Sequence, residues 1–384
     1  MLKRIDVIYN TTLVCPWNCA KCCVGAVHVE VKGGLLRLSS SDLSTYTEVP
    51  VLGIKPKNAK PQWKYDEAAK LRQKAGRELD LAGKLRILDH LDGVIPKIDI
   101  SGGDPLVLSE TMILIRAIAE RFGRENVTVT ATGVGLSFVE PADLAPYVSE
   151  VNITFDGTPP EIDPLVPKHY GLANLHAGVR LTEHGVAVRA EIPLTLQNID
   201  RTELTRIYTE LADTSIGQLL VMRLFPVGRG ELREGQIPTA DQYRDAIALL
   251  RDLERHLGGP RVKLQCALKH LDGDPLTENP CDAVRESFGL MADGTLLGSP
   301  WAINKHGQPI DENWVLGNLA TTPITELLQS ERALRFQQQD AASFGHCKIF
   351  SGLYGTSRDF FERIHQPADP LYIERRRNAT PPAA

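Results

Sequence analysis

The chain has 384 residues, 42% hydrophobic and 24% charged, with a formal net charge of −5 at pH 7. That length allows one large α/β domain, or a domain of about 200 residues with a smaller companion, and a core that needs no metal or disulfide staple. A mildly acidic chain has no electrostatic footprint for nucleic acid, its N-terminal MLKRIDVIYN lacks a signal peptide's apolar stretch, and no run of about 18 apolar residues marks a membrane span. A cytoplasmic, reducing setting is therefore expected, where the seven cysteines stay thiols unless a metal takes them. The odd count also argues against a complete disulfide set.

In chain order, IDVIYNTTLV (5–14), KIDISG (97–102), VTVTATG (127–133), VNITFDG (151–157), VAVRAEIPLT (186–195) and QLLVMRLFPVG (218–228) read as six strands. Helical patterns lie between them: one or two in 66–91, then SETMILIRAIAERFG with a serine cap and a closing glycine, NLHAGVRLTEHG, and TELTRIYTELADT. The interval from 25 to 95 exceeds a simple crossover, and its basic, proline-punctuated GIKPKNAKPQWKYDE reads as a solvated loop or a lid. After residue 230 the pattern changes to a helix over 239–258, strand-like RVKLQCAL, hairpin-like GLMADGTLLGSPWAI and a helix from Pro323. The expected partition is a core over 1–234, a smaller α/β unit over 235–370 and a disordered tail over 371–384. Alternating strands and helices imply parallel βαβ units in an open or partial barrel, with chemistry beyond the carboxyl ends of the strands. The cysteine stretch, SGGDP, TATG and TFDG all lie at such ends.

LVCPWNCAKCCVG places Cys15, Cys19, Cys22 and Cys23 within nine residues. Structural zinc sites pair two short cysteine spacings, and no second CxxC or HxxxH is in reach. A thioredoxin-type pair of Cys19 and Cys22 leaves Cys15 without a role. A CxxxCxxC loop after a first barrel strand suits three thiolates on three irons of a 4Fe–4S cube, the fourth iron staying open to a small molecule.

With Gly102 and Gly103 on the next strand, this loop resembles the radical S-adenosylmethionine superfamily, over roughly residues 1–230. The resemblance implies a partial (β/α)6 barrel of the TIM type, a 4Fe–4S cluster on Cys15, Cys19 and Cys22, and S-adenosylmethionine on the open iron. It places Ser101, Gly102, Gly103 and Asp104 near the methionine ammonium and Thr130 and Thr132 near the ribose, with Asp156 closing the fourth strand and 223–230 packing over adenine. Arg189 would meet the cofactor carboxylate, with an ordinary surface arginine as the alternative. The residue before the third cysteine is aromatic in that family and is Lys21 here. The implied chemistry is reductive cleavage to a 5′-deoxyadenosyl radical that abstracts hydrogen from a substrate.

Cys266, Cys281 and Cys347 remain. Alone they read as small buried residues; in context the segment from Cys281 resembles a SPASM or twitch C-terminal domain, with Gly294 in place but Ser299 where a hairpin cysteine belongs. The count excludes two auxiliary clusters, and implies one on Cys266, Cys281 and Cys347 or a cluster-free domain. His270, His306 and His346 read as surface residues. Cys23 is surplus, a structural thiol or a hydrogen-atom donor.

The leading expectation is tailoring of a small natural-product intermediate. A first strand at residue 5 leaves no peptide-reading domain ahead of it, and the basic 55–64 loop suits an acidic group. The alternatives are epimerisation or cross-linking of a ribosomal peptide, and a non-catalytic iron–sulfur protein for electron transfer or binding. Expected partners are the substrate and a donor such as flavodoxin or ferredoxin, without nucleic acid or membrane.

Overall fold

The computed structural model of the chain describes residues 2–157, 167–272, 279–338 and 345–372. Its strands are β1 (Lys3–Thr12), β2 (Val14–Cys15), β3 (Val27–Lys32), β4 (Leu35–Ser39), β5 (Tyr46–Pro50), β6 (Val94–Gly102), β7 (Val127–Thr130), β8 (Glu150–Thr154), β9 (Ala187–Leu194), β10 (Gln218–Arg223), β11 (Arg261–Leu264), β12 (Ser287–Leu290), β13 (Thr295–Leu297) and β14 (Val315–Asn318). The longer helices are α1 (Trp63–Lys74), α2 (Leu81–His90), α3 (Thr111–Phe122), α4 (Tyr170–Glu183), α5 (Arg201–Ala212) and α6 (Ala240–Leu257).

All six expected barrel strands are present, in one sheet of order β11-β10-β9-β8-β7-β6-β1-β12-β13-β14. The pairs from β11 through β12 are parallel, and β12–β13 and β13–β14 are antiparallel. Alternation along each strand explains the architecture. On β6, Ile98 and Ile100 are buried in the apolar core, while Lys97, Asp99 and Ser101 line the opposite, inner face. On β9, Val188, Ala190 and Ile192 are buried and Arg189, Glu191 and Pro193 face inward. The helices cover the apolar outer face. α5 alone buries Leu204, Ile207, Tyr208 and Leu211, each worth about 1.5–3 kcal/mol.

Helix starts follow local chemistry. Asp80 caps α2 at Gly83 N (2.8 Å), Asp200 caps α5, and Thr239 with Gln242 forms a capping box on α6. The serine cap expected on α3 is absent: Ser109 instead donates to Asp66 from its backbone and its hydroxyl (2.9 and 3.1 Å).

Three differences from the sequence reading bear on the site. First, 27–50, to which the sequence reading assigned no element, holds β3, β4 and β5 as an antiparallel meander, and β2 joins it beside β3. Second, the sheet runs through residue 235. β11 extends it at one edge, and β12 pairs with β1 at the other, Asp6 to Ser287 and Ile8 to Gly289. Third, the tail is placed at its start: Leu371 is buried and the Tyr372 ring meets His346 edge-on at 3.9 Å, while 373–384 lie outside the described residues. Among the described residues no helix is long and apolar enough to cross a membrane.

Candidate active site

The inner face of the sheet and the loop after β1 enclose a cavity of about 490 Å³, with Cys15, Cys19, Cys22 and Cys23 on its wall. Thr12 and Leu13 lead the chain into this loop, and one buried carboxylate holds both: Glu78 accepts from Thr12 Oγ1, Leu13 N (both 2.8 Å) and Arg72 Nε (2.5 Å). Across the stem lie Gly102 and Gly103. A Cβ on Gly102 would stand 2.1 Å from Thr12 O and one on Gly103 2.2 Å from Val14 O. Gly103 N and Asp104 N donate to those same carbonyls at 2.8 and 2.9 Å. The two glycines therefore serve first to let β6 clasp the stem of the cysteine loop, while also lining the cavity.

Beyond the stem, Trp17 Nε1 donates to Thr132 Oγ1 (3.1 Å), whose hydroxyl donates to Asp104 (2.5 Å), and the Trp17 ring meets Tyr170 edge-on at 5.4 Å. Asp104 is fully buried and also accepts from Gly135 N (2.9 Å). It is absent from the cavity wall, because its carboxylate joins the end of β6 to the turn at 133–136. Burial pushes its pKa up to about 6. Ser101, Thr130 and Thr132 do line the cavity, Thr130 donating to Asp99 at 2.8 Å. Lys21, where an aromatic residue was the expectation, forms a buried ion pair with Asp156 at 2.7 Å. Arg189 is partly exposed and lines the cavity, held by Glu150 (3.1 Å) and Glu191 (3.3 Å).

The segment 223–230 does something the sequence reading missed. Arg229 is 1% exposed and reaches into the back of the cysteine loop. Its Nε donates to Cys19 O (2.7 Å), one Nη to Ala26 O (2.5 Å) and Ser41 O (2.7 Å), and its backbone N to Cys22 O (2.8 Å). Only the long-range fold brings this arginine to the loop, and no local pattern marks it.

Cys15, Cys19 and Cys23 are held protonated. Burial, then the nearby Asp104 and Cys19, raises Cys15 well above the ordinary thiol range; burial, then Cys22, raises Cys19, and Cys23 is pushed up to about 12 by the same two causes. A group that takes these thiols must displace their protons. A single tetrahedral ion with bonds of about 2.3 Å needs sulfurs about 3.8 Å apart. Among the described residues no three His, Cys, Asp or Glu side chains meet such a requirement. Three cysteines lining one cavity suit the thiolate ligation of an iron–sulfur cluster. Two further features fit an anionic group there: Arg229 Nη2 is buried without a partner, and Ala26 N donates to Cys22 Sγ at 3.4 Å.

The second cysteine set also converges. Burial, then Asp282, Cys281 and Cys347, raises Cys266; burial, then Asp369 and Cys281, pushes Cys347 up to about 12. Cys266 and Asp282 line the same cavity. His270 and His346, expected at the surface, are buried at 3% and 4%; His306 stays exposed. Ser299, at the missing hairpin cysteine, is buried and accepts from Trp301 N (3.4 Å).

No protein-family model matches the sequence, and no curated protein matches it. Solved structures do. Native anSMEcpe with bound AdoMet aligns over 97% of this chain and 99% of its own, at 15% identity and a TM-score of 0.57. The same protein with bound AdoMet and Cp18Cys peptide covers 98% and 100%, at 14% and 0.58. Streptococcus suis SuiB bound to precursor peptide SuiA covers 86% and 66%, at 11% and 0.55. These likenesses, all at 15% identity or below, show that the chain shares the fold of those structures.

Proposed function

We propose that the chain is a radical S-adenosylmethionine enzyme. The observation that carries the reading is that Cys15, Cys19 and Cys22 line one cavity together with a polar, inward-facing set that includes Asp99, Arg189 and Glu191. The three thiols would hold a 4Fe–4S cluster, with S-adenosylmethionine beside Ser101, Gly102 and Gly103. When bound, the pair supplies one-electron cleavage of a carbon–sulfur bond and, through it, abstraction of hydrogen from an unactivated carbon. The protein's own share is positioning and exclusion of water. Glu78 and Arg229 fix the loop, Trp17 and Tyr170 wall the cavity on one side, and Arg189, set between two carboxylates, is placed to orient a charged group. Cys23, lining the same cavity as Glu191, is the candidate donor that returns a hydrogen atom to the substrate.

Cys266, Cys281 and Cys347 would hold one auxiliary cluster, completed by a non-cysteine ligand or by substrate. The partition into a core over 1–234 and a SPASM- or twitch-like unit over 235–370 remains the proposed organisation, laid over a continuous sheet. A charged lining in about 490 Å³ suits a small polar natural-product intermediate. A peptide is the second reading, favoured because two of the similar structures are bound to peptides. A flavodoxin or ferredoxin would supply the electron.

The test is anaerobic incubation of the reconstituted protein with S-adenosylmethionine and dithionite. Formation of 5′-deoxyadenosine by the wild type and its loss in Cys19→Ala is the expected result. Equal amounts from both would refute the reading.

A further inference from the structure

We propose that Arg229 is the counter-charge of the cluster at Cys15, Cys19 and Cys22 as well as the clamp of their loop; the inference rests on the reading of that site given above. Arg223, Lys21 and Lys84 are also buried, and each meets a carboxylate: Asp369 at 2.8 Å, Asp156 at 2.7 Å and Glu110 at 2.6 Å. Arg229 differs. Its side-chain partners are the neutral carbonyls of Cys19, Ala26 and Ser41, and no carboxylate forms an ion pair with it among the described residues. A guanidinium 1% exposed with no anion is a costly arrangement unless an anion arrives.

The loop supplies that anion on loading. A doubly positive cluster core on three thiolates sums to one negative charge, opposite the one positive charge of Arg229. Nη2 is buried as a donor without a partner, and Arg229 lines the cavity that these thiols share. Bonding through Nε and the other Nη fixes the guanidinium plane, so Nη2 cannot turn away to solvent. Because Ser41 follows β4, the same fork ties the β3–β5 meander to the loop. Arg229 therefore favours the loaded state over the empty one. It also favours the reduced cluster over the oxidised one, since reduction adds negative charge beside a fixed cation.

The experiment is a thermodynamic cycle on the full chain: wild type, Arg229→Gln and Arg229→Lys, each compared iron-free and after anaerobic reconstitution. Iron content, thermal midpoint and cluster reduction potential by EPR-monitored titration are measured. The wild type is expected to gain more thermal stability on reconstitution than Arg229→Gln, whose cluster is harder to reduce. Arg229→Lys keeps the charge and loses the fork, so its potential stays nearer the wild type's. Equal stability gains and equal potentials in wild type and Arg229→Gln, with iron bound in both, overturn this inference alone. A wild type that binds no iron overturns the reading of the site and this inference with it. Failure of both variants to fold without iron assigns Arg229 to the fold itself and also overturns the proposal.

Discussion

Replacing Lys21 tests a second anchor of the cysteine loop, its ion pair with Asp156. Lys21 Nζ stands 2.7 Å from Asp156 Oδ1, with side-chain exposures of 5% and 2%. At that depth water cannot take over from either partner. Removing one charge from a buried pair costs about 3–5 kcal/mol, largely because the other stays behind without compensation. Removing both costs less than the sum, since no unpaired charge is left buried. Lys21→Met and Asp156→Asn are each expected to lose about 3 kcal/mol or more against urea, with the double variant losing at least about 2 kcal/mol less than their sum. The assay is urea denaturation of the iron-free protein, followed by circular dichroism, for all four members of the cycle. Single losses under about 1 kcal/mol that simply add would show a solvated pair and refute the reasoning.

Three further outcomes are expected. Glu78→Ala leaves Leu13 N, Thr12 Oγ1 and Arg72 short of an acceptor at the root of the loop, costing about 3 kcal/mol or more and lowering iron retention; unfolding and iron assays check both. Gly103→Ala forces a methyl to 2.2 Å from Val14 O, so β6 and the loop must separate; the variant should bind less than half the wild-type iron at Cys15, Cys19 and Cys22, and full loading would contradict the clasp. Burial raises Glu191 to about 7 from an ordinary value of 4.5. The folded state therefore holds a proton that the unfolded chain releases, and stability is present below about pH 4.5 and lost as pH rises to about 7. The loss is at most about 3 kcal/mol, and Glu191→Gln should flatten this part of the stability–pH curve.

The barrel was legible because its strands carry β-branched runs separated by capped, amphipathic helices. The cysteine loop was legible because its ligand types are close in sequence. What escaped has physical reasons. VHVEVKGGLLRLS contains a two-residue Gly-Gly turn between alternating strands, with φ of 58° and 76° at Gly33 and Gly34, a local hairpin signal that was there to be read. By contrast, β12 reaches β1 across more than 270 residues of chain, and nothing in SFGL marks it as a parallel neighbour and not just half of a hairpin. Asp104 and Arg189 were judged by residue type and strand-end position. Their actual partners, Thr132 with Gly135 and Glu150 with Glu191, depend on register between strands. Arg229 and Glu78 hold the loop from elements 210 and 66 residues distant from their partners Cys19 and Thr12, a relation that only the folded chain displays. His270 and His346 looked polar enough for the surface, yet the packing around the second cysteine set buries both.

The most direct measurement is iron per chain after anaerobic reconstitution, in wild type and in a variant with Cys15, Cys19 and Cys22 all changed to alanine. With both cysteine sets loaded, the account predicts about eight irons falling to about four. A variant that keeps the full wild-type iron, or a wild type that binds none, would contradict the assignment of this loop to an iron–sulfur cluster.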